Sequence, residues 1–112
     1  MSVDQPKLID FVGVDKTSGE VILTISDHLD WNNSRAHLII LQDKINSYLA
    51  FIESGEIYES YPDSKDRRVV INVVFKYKPD FAGQQFLAQV KDVIGSAGFS
   101  LRHEVFADSY NN

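Results

Sequence analysis

Acid–base or metal chemistry in this sequence would have to come from its three histidines and the carboxylates near them. His28 is the best placed, in the run Asp27-His28-Leu29-Asp30-Trp31. An imidazole flanked by two carboxylates is the raw material of a divalent-metal site or a proton-transfer pair. The spacing that would make such a site specific is missing. There is no HExxH, no HxH and no second histidine within one helical turn. His37 and His103 are scattered through other segments, and a solvated loop with a capping Asp explains the Asp27–Asp30 run more simply. Metal ligands are therefore not assigned.

Nucleophilic and phosphate chemistry have even less support. No serine lies in a G-x-S-x-G elbow. Gly95-Ser96-Ala97-Gly98 has the composition of a phosphate loop but falls at a helix C-terminus, where the dipole repels anions. There is no cysteine, which removes disulfides, thiolate catalysis and cysteine-ligated metals together. No catalytic residue and no cofactor are assigned, and an enzyme is the less favoured class.

The alternative to chemistry is contact. Glu53 to Asp66 reads ESGEIYESYPDSKD, a segment rich in acids and tyrosine. Glu56, Tyr58, Glu59 and Tyr61 are its candidate partner-binding residues. Tyrosine combines a large apolar area with a polar tip, and acids raise the association rate with a basic partner. The competing reading is that the tyrosines close the core while the acids solvate a helix exit. A net charge of −5 disfavours nucleic acid, and the small basic clusters Arg67–Arg68 and Lys76–Lys78 fit solvated strand edges.

Elements must position these residues. Leu8 to Val14 and the alternating Glu20 to Ser26 read as a hairpin joined by a turn ending at Gly19. Asn33 or Ser34 caps a helix of about five turns whose stripe is Leu38, Leu41, Ile45, Leu49 and Ile52, ended by Gly55. Glu56 to Tyr61 is either a short edge strand or an extended loop. Arg67 to Lys78 is the strongest strand, apolar on both faces and so expected at the centre. Asp80 caps a second helix with the stripe Phe86, Leu87, Val90, Val93, Ile94 and Ala97, ended by Gly98. A strand carrying Phe99, Leu101, His103 and Val105 closes the chain.

The fold class is α+β: a two-layer sandwich with a mixed or antiparallel sheet of four to five strands and two helices on one face, in the order β-β-α-(β)-β-α-β. At 112 residues the chain is expected to be one domain, 1–112, with loose ends at 1–6 and 108–112. Helices on one face leave Ile22, Val70, Val74 and Phe106 on the other, a partly apolar surface that suits a homodimer. The start MSVDQPKLID has no leader-like run, and no apolar stretch approaches the ~18–20 residues of a membrane span. The expected location is the cytoplasm.

Leu41-Gln42-Asp43-Lys44-Ile45-Asn46, Tyr48-Leu49, Phe51-Ile52-Glu53-Ser54-Gly55 and Tyr61-Pro62 together form a recognisable pattern. Through LQDKINSYLAFIESGEIYESYP the chain resembles a bacterial family of small stand-alone proteins of unknown function. The resemblance implies a bacterial cytoplasmic protein with no known activity and no residue roles to carry over. The expected function is a non-enzymatic protein-binding module, immunity- or adaptor-like. The alternative is a small enzyme or ligand-binding domain with its site near Asp27, His28 and Asp30.

Overall fold

The computed structural model describes residues 11–106. The expected loose ends, 1–6 and 108–112, and the first residues of the opening strand lie outside them. Strand β1 (Phe11–Val14) pairs antiparallel with β2 (Val21–Asp27). Helix α1 (Ser34–Glu53), the short helix α2 (Glu56–Ser60) and a 3-10 turn (Pro62–Ser64) lead to β3 (Val69–Phe75). Helix α3 (Phe81–Ser96) then leads to β4 (Ser100–Val105). The sheet order is β1-β2-β3-β4, with β2, β3 and β4 mutually parallel. Of the expected mixed or antiparallel sheet of four to five strands, the mixed four-stranded form is found, with β3 inside it as expected.

The hairpin turn follows from its residues. Asp15 Oδ1 accepts from the amides of Thr17 and Ser18, and Gly19 takes a φ of 76° to return the chain. Both long helices then run as crossovers between neighbouring parallel strands. Right-handed crossovers stepping the same way across a sheet put both helices on one face, and α1 and α3 touch each other there.

The core lies between these layers. Val21, Leu23 and Ile25 of β2 and Val69, Ile71, Val73 and Phe75 of β3 meet Leu41, Ile45, Tyr48 and Ile52 of α1 and Leu87 and Ile94 of α3. Caps delimit the helices as their residues require: Asn33 accepts from the Ala36 amide, Asp80 from the Gly83 amide. Gly55 and Gly98 follow the C-termini with φ of 83° and 93°.

Two expectations need correction, and α1 adds a further finding. Glu56 to Tyr61 is neither strand nor loop but α2. The amide of Tyr61 bonds the Ile57 carbonyl, and buried Ile57 pins the turn to the core. Ile57 and Tyr61 are four residues apart, a helical spacing, and Glu56 and Glu59 suit the positive end of a helix. Val93 and Ala97 are exposed, because α3 turns a narrower stripe inward than their spacing suggests. The inward stripe of α1 is not wholly apolar: His37 and Lys44 sit in it, buried.

Candidate functional site

The chemistry of the domain gathers at the carboxyl ends of β2 and β3. Asp27 is the last residue of β2, in register with Phe75 of β3, and shares the helix-facing side with Leu23 and Ile25. Its side chain therefore points under the first turn of α1. His37, one turn into that helix, meets it there, with Nε2 2.6 Å from Asp27 Oδ2. The two residues are only 1% and 3% exposed.

Every polar atom of the pair is engaged. The His37 Nδ1 lies 3.0 Å from the Asp30 carbonyl, which can only accept, so Nδ1 carries a proton. Asp27 Oδ1 accepts from the Leu29 amide. One further proton lies between Nε2 and Oδ2, giving either imidazolium with carboxylate or neutral imidazole with carboxylic acid. Burial pushes the Asp27 carboxyl above its ordinary value, while the hydrogen bond from His37 and its charge act the other way.

Trp31 covers this pair. Its ring stacks on His37 at 3.8 Å between centroids and leans on Phe75 at 5.9 Å. Its Nε1–H donates to the Tyr77 carbonyl, tying the β2–α1 loop to the exit of β3. Gly83 at the start of α3 makes room for the ring: a Cβ there would stand 2.8 Å from its Cη2 atom. Ser34 completes the knot by bonding Asp80, the α3 cap. Those contacts and the cap bond to Gly83 hold the Asp80 carboxyl below its usual range.

Open sheets with parallel strands take ligands at the carboxyl ends of their strands. Here Trp31 lies over the carboxyl ends of β2 and β3, and both nitrogens of the imidazole beneath are engaged. The pair works as a buried fastener for the 28–33 loop.

The side chains of the predicted residues turn different ways. Asp27 turns inward to His37, His28 is exposed, and the Asp30 carboxylate caps the Asn32 amide. Among the described residues no group of three or more His, Cys, Asp or Glu side chains is placed to hold a metal ion. Sequence reasoning missed His37 as the partner of Asp27 and Trp31 as its cover. A histidine at the buried phase of an apolar helix stripe was the available signal.

The other candidates lie elsewhere. Tyr58 and Tyr61 are 41% and 42% exposed on the α2 segment, beside exposed Glu56 and Glu59. Tyr58, Glu59, Lys65 and Asp66 line a shallow hollow of about 500 Å3. On the sheet face away from the helices, Ile22 and Val74 are half-buried and Val70 is 0% exposed. Arg102 of β4 reaches back across β3 at this level to grip Glu20 at 2.8 and 3.0 Å.

Among the described residues no helix is long and apolar enough to cross a membrane. No curated protein and no solved structure matches the chain. A family model matches residues 1–107, nearly the whole length, and the chain thus belongs to that family of unknown function, DUF6572.

Proposed function

We propose that this protein is a non-enzymatic protein-binding module, of an immunity or adaptor kind, acting in the cytoplasm of a bacterium. The observation that carries the reading is the exposure of Tyr58 and Tyr61 amid Glu56 and Glu59. Ile57 buries the opposite side of the same short helix, so the two rings are presented from an anchored turn. Anchored tyrosines give contact area at small entropic cost. Glu53, Asp63 and Asp66 are exposed nearby and extend the acidic field, which selects a basic partner surface.

A homodimer is a separate proposal. The sheet face away from the helices carries Ile22 and Val74, with exposed Phe11 on β1 and Phe106 just beyond β4. Val70, already sealed, would support that face from beneath without contributing contact area. Sedimentation at micromolar concentration tests it, and a clean monomer mass ends it.

Capture of partners from the native host tests the main reading. The expected result is one partner retained at low salt, released at high salt, and lost from both Tyr58→Ala and Tyr61→Ala. Equal capture by wild type and both variants would overturn the α2 surface as the site.

A further inference from the structure

A groove that shares no lining residue with the α2 surface lies between α3 and β4, with a volume of about 830 Å3. Lys78 from the exit of β3, Lys91 from α3 and Arg102, His103 and Glu104 from β4 line it, over a floor that includes Leu87 and Val105. Arg102 is paired with Glu20, so Lys78 and Lys91 against the one carboxylate of Glu104 leave the groove net cationic on an apolar base, in a protein whose net charge is −5.

The groove runs along a sheet edge. Strand β4 is last in the order, and among the described residues no strand pairs with its outer side. The phase of its backbone follows from one bond, the Phe106 amide to the Phe75 carbonyl. Backbone groups alternate sides along a strand. Residues 102, 104 and 106 therefore turn theirs toward β3, while 101, 103 and 105 turn theirs outward. His103 and Val105 are exposed, so their amides and carbonyls face solvent beside the groove. The same two residues point their side chains toward the helix layer, into the groove's wall. Edges of this kind are templates for an added strand unless they are blunted. No proline or bulge interrupts this one, and its charged residues Arg102 and Glu104 lie on the sheet face away from the helices.

We infer that β4 and the α3–β4 groove bind an extended acidic segment of a partner protein by strand addition. The segment's backbone pairs with His103 and Val105. Its alternate side chains reach the groove, where carboxylates meet Lys78 and Lys91 and apolar residues rest on Leu87 and Val105. Main-chain bonds supply affinity and the alternate side chains supply selectivity, as in other edge-strand recognition. This surface is independent of Tyr58 and Tyr61, and the failure of either leaves the other standing.

The test uses the full chain and labelled eight-residue peptides. One alternates Glu and Val, one alternates Lys and Val, and one is the Glu–Val peptide with a central Pro. The Glu–Val peptide is expected to bind, with salt-dependent affinity, and to slow hydrogen exchange at the His103 and Val105 amides. The other two peptides are expected to bind far more weakly. Lys78→Glu with Lys91→Glu should cost about tenfold in affinity, the scale of two partly exposed ion pairs. Val105→Pro removes an outward amide and spares the ladder to β3, so it should also lose binding while its thermal unfolding stays close to wild type.

Absence of Glu–Val binding overturns the inference. So does binding without protection of those two amides. An eight-nucleotide thymidine strand that binds as tightly, through the same lysines, would make the groove a phosphate surface instead. Self-association abolished by Val105→Pro would make the occupant a second copy of this chain and overturn it equally.

Discussion

His37 Nε2 and Asp27 Oδ2 stand 2.6 Å apart beneath the ring of Trp31, joining the end of β2 to the first turn of α1. Removing one partner of a buried pair leaves the other without compensation, which costs about 3–5 kcal/mol. His37→Ala should lose about that much stability in chemical denaturation. Trp31 is the sole tryptophan, so its emission reports the site directly. It should shift to the red as water enters beneath the ring. Unchanged stability and emission would mean that the pair does not hold the loop.

The pH dependence of this pair has a definite sign. The folded-state Asp27 carboxyl lies above its ordinary value of 3.8, mainly through desolvation. Its contribution to stability is then full below that value and fades as pH rises through the higher folded-state value. Asp27→Asn cannot titrate. Its stability relative to wild type should therefore improve as pH rises above the ordinary carboxyl value of 3.8, as urea titrations at successive pH values would reveal.

Asp80, Asp15 and Glu20 have the opposite sign. Hydrogen bonds hold all three below their ordinary values, and for Glu20 the first cause is Arg102. Their stabilisation is present at neutral pH and is lost as pH falls through the carboxylate range. Arg102→Ala should make the acid limb of the stability profile shallower. Its effect at neutral pH should be small, as is usual for a partly exposed ion pair.

Two glycines of α3 should respond oppositely to alanine. A Cβ at Gly83 would meet Trp31 at 2.8 Å and Pro79 at 3.1 Å, whereas one at Gly95 meets nothing within 4 Å. Gly95→Ala should stabilise by about 0.5–1 kcal/mol through helix propensity. Gly83→Ala should destabilise by about 1–3 kcal/mol, because the ring must shift in a packed site. Thermal melts of the two variants, with Trp31 emission alongside, distinguish them.

Tyr58→Ala and Tyr61→Ala should leave stability nearly unchanged, about ±0.5 kcal/mol, since both rings are exposed. Tyr61 also meets the edge of Phe51, 6.4 Å between centroids, and is expected to show the larger loss. A drop of several kcal/mol in either would reassign the rings to the core.

Much of the frame is a matter of local chemistry and was legible without coordinates. The alternation Val69, Ile71, Val73, Phe75 makes one buried face of a strand wherever that strand lies. Asp80 can accept an amide at a helix start, and Gly55 and Gly98 can take a left-handed backbone at helix ends. Those properties belong to the residues and their immediate neighbours. The tertiary structure alone decided that Asp27 meets His37 and not His28, because pairing across ten positions depends on how the crossover from β2 returns over the sheet. It also decided that Glu56 to Ser60 is a helix, since a segment this short carries little local preference and burial of Ile57 fixes the turn. Finally, it placed Lys44 and His37 on the inward face of α1. Sequence periodicity treats polar residues there as interruptions, while a folded core can bury them once each has a partner, and those partners exist only in three dimensions.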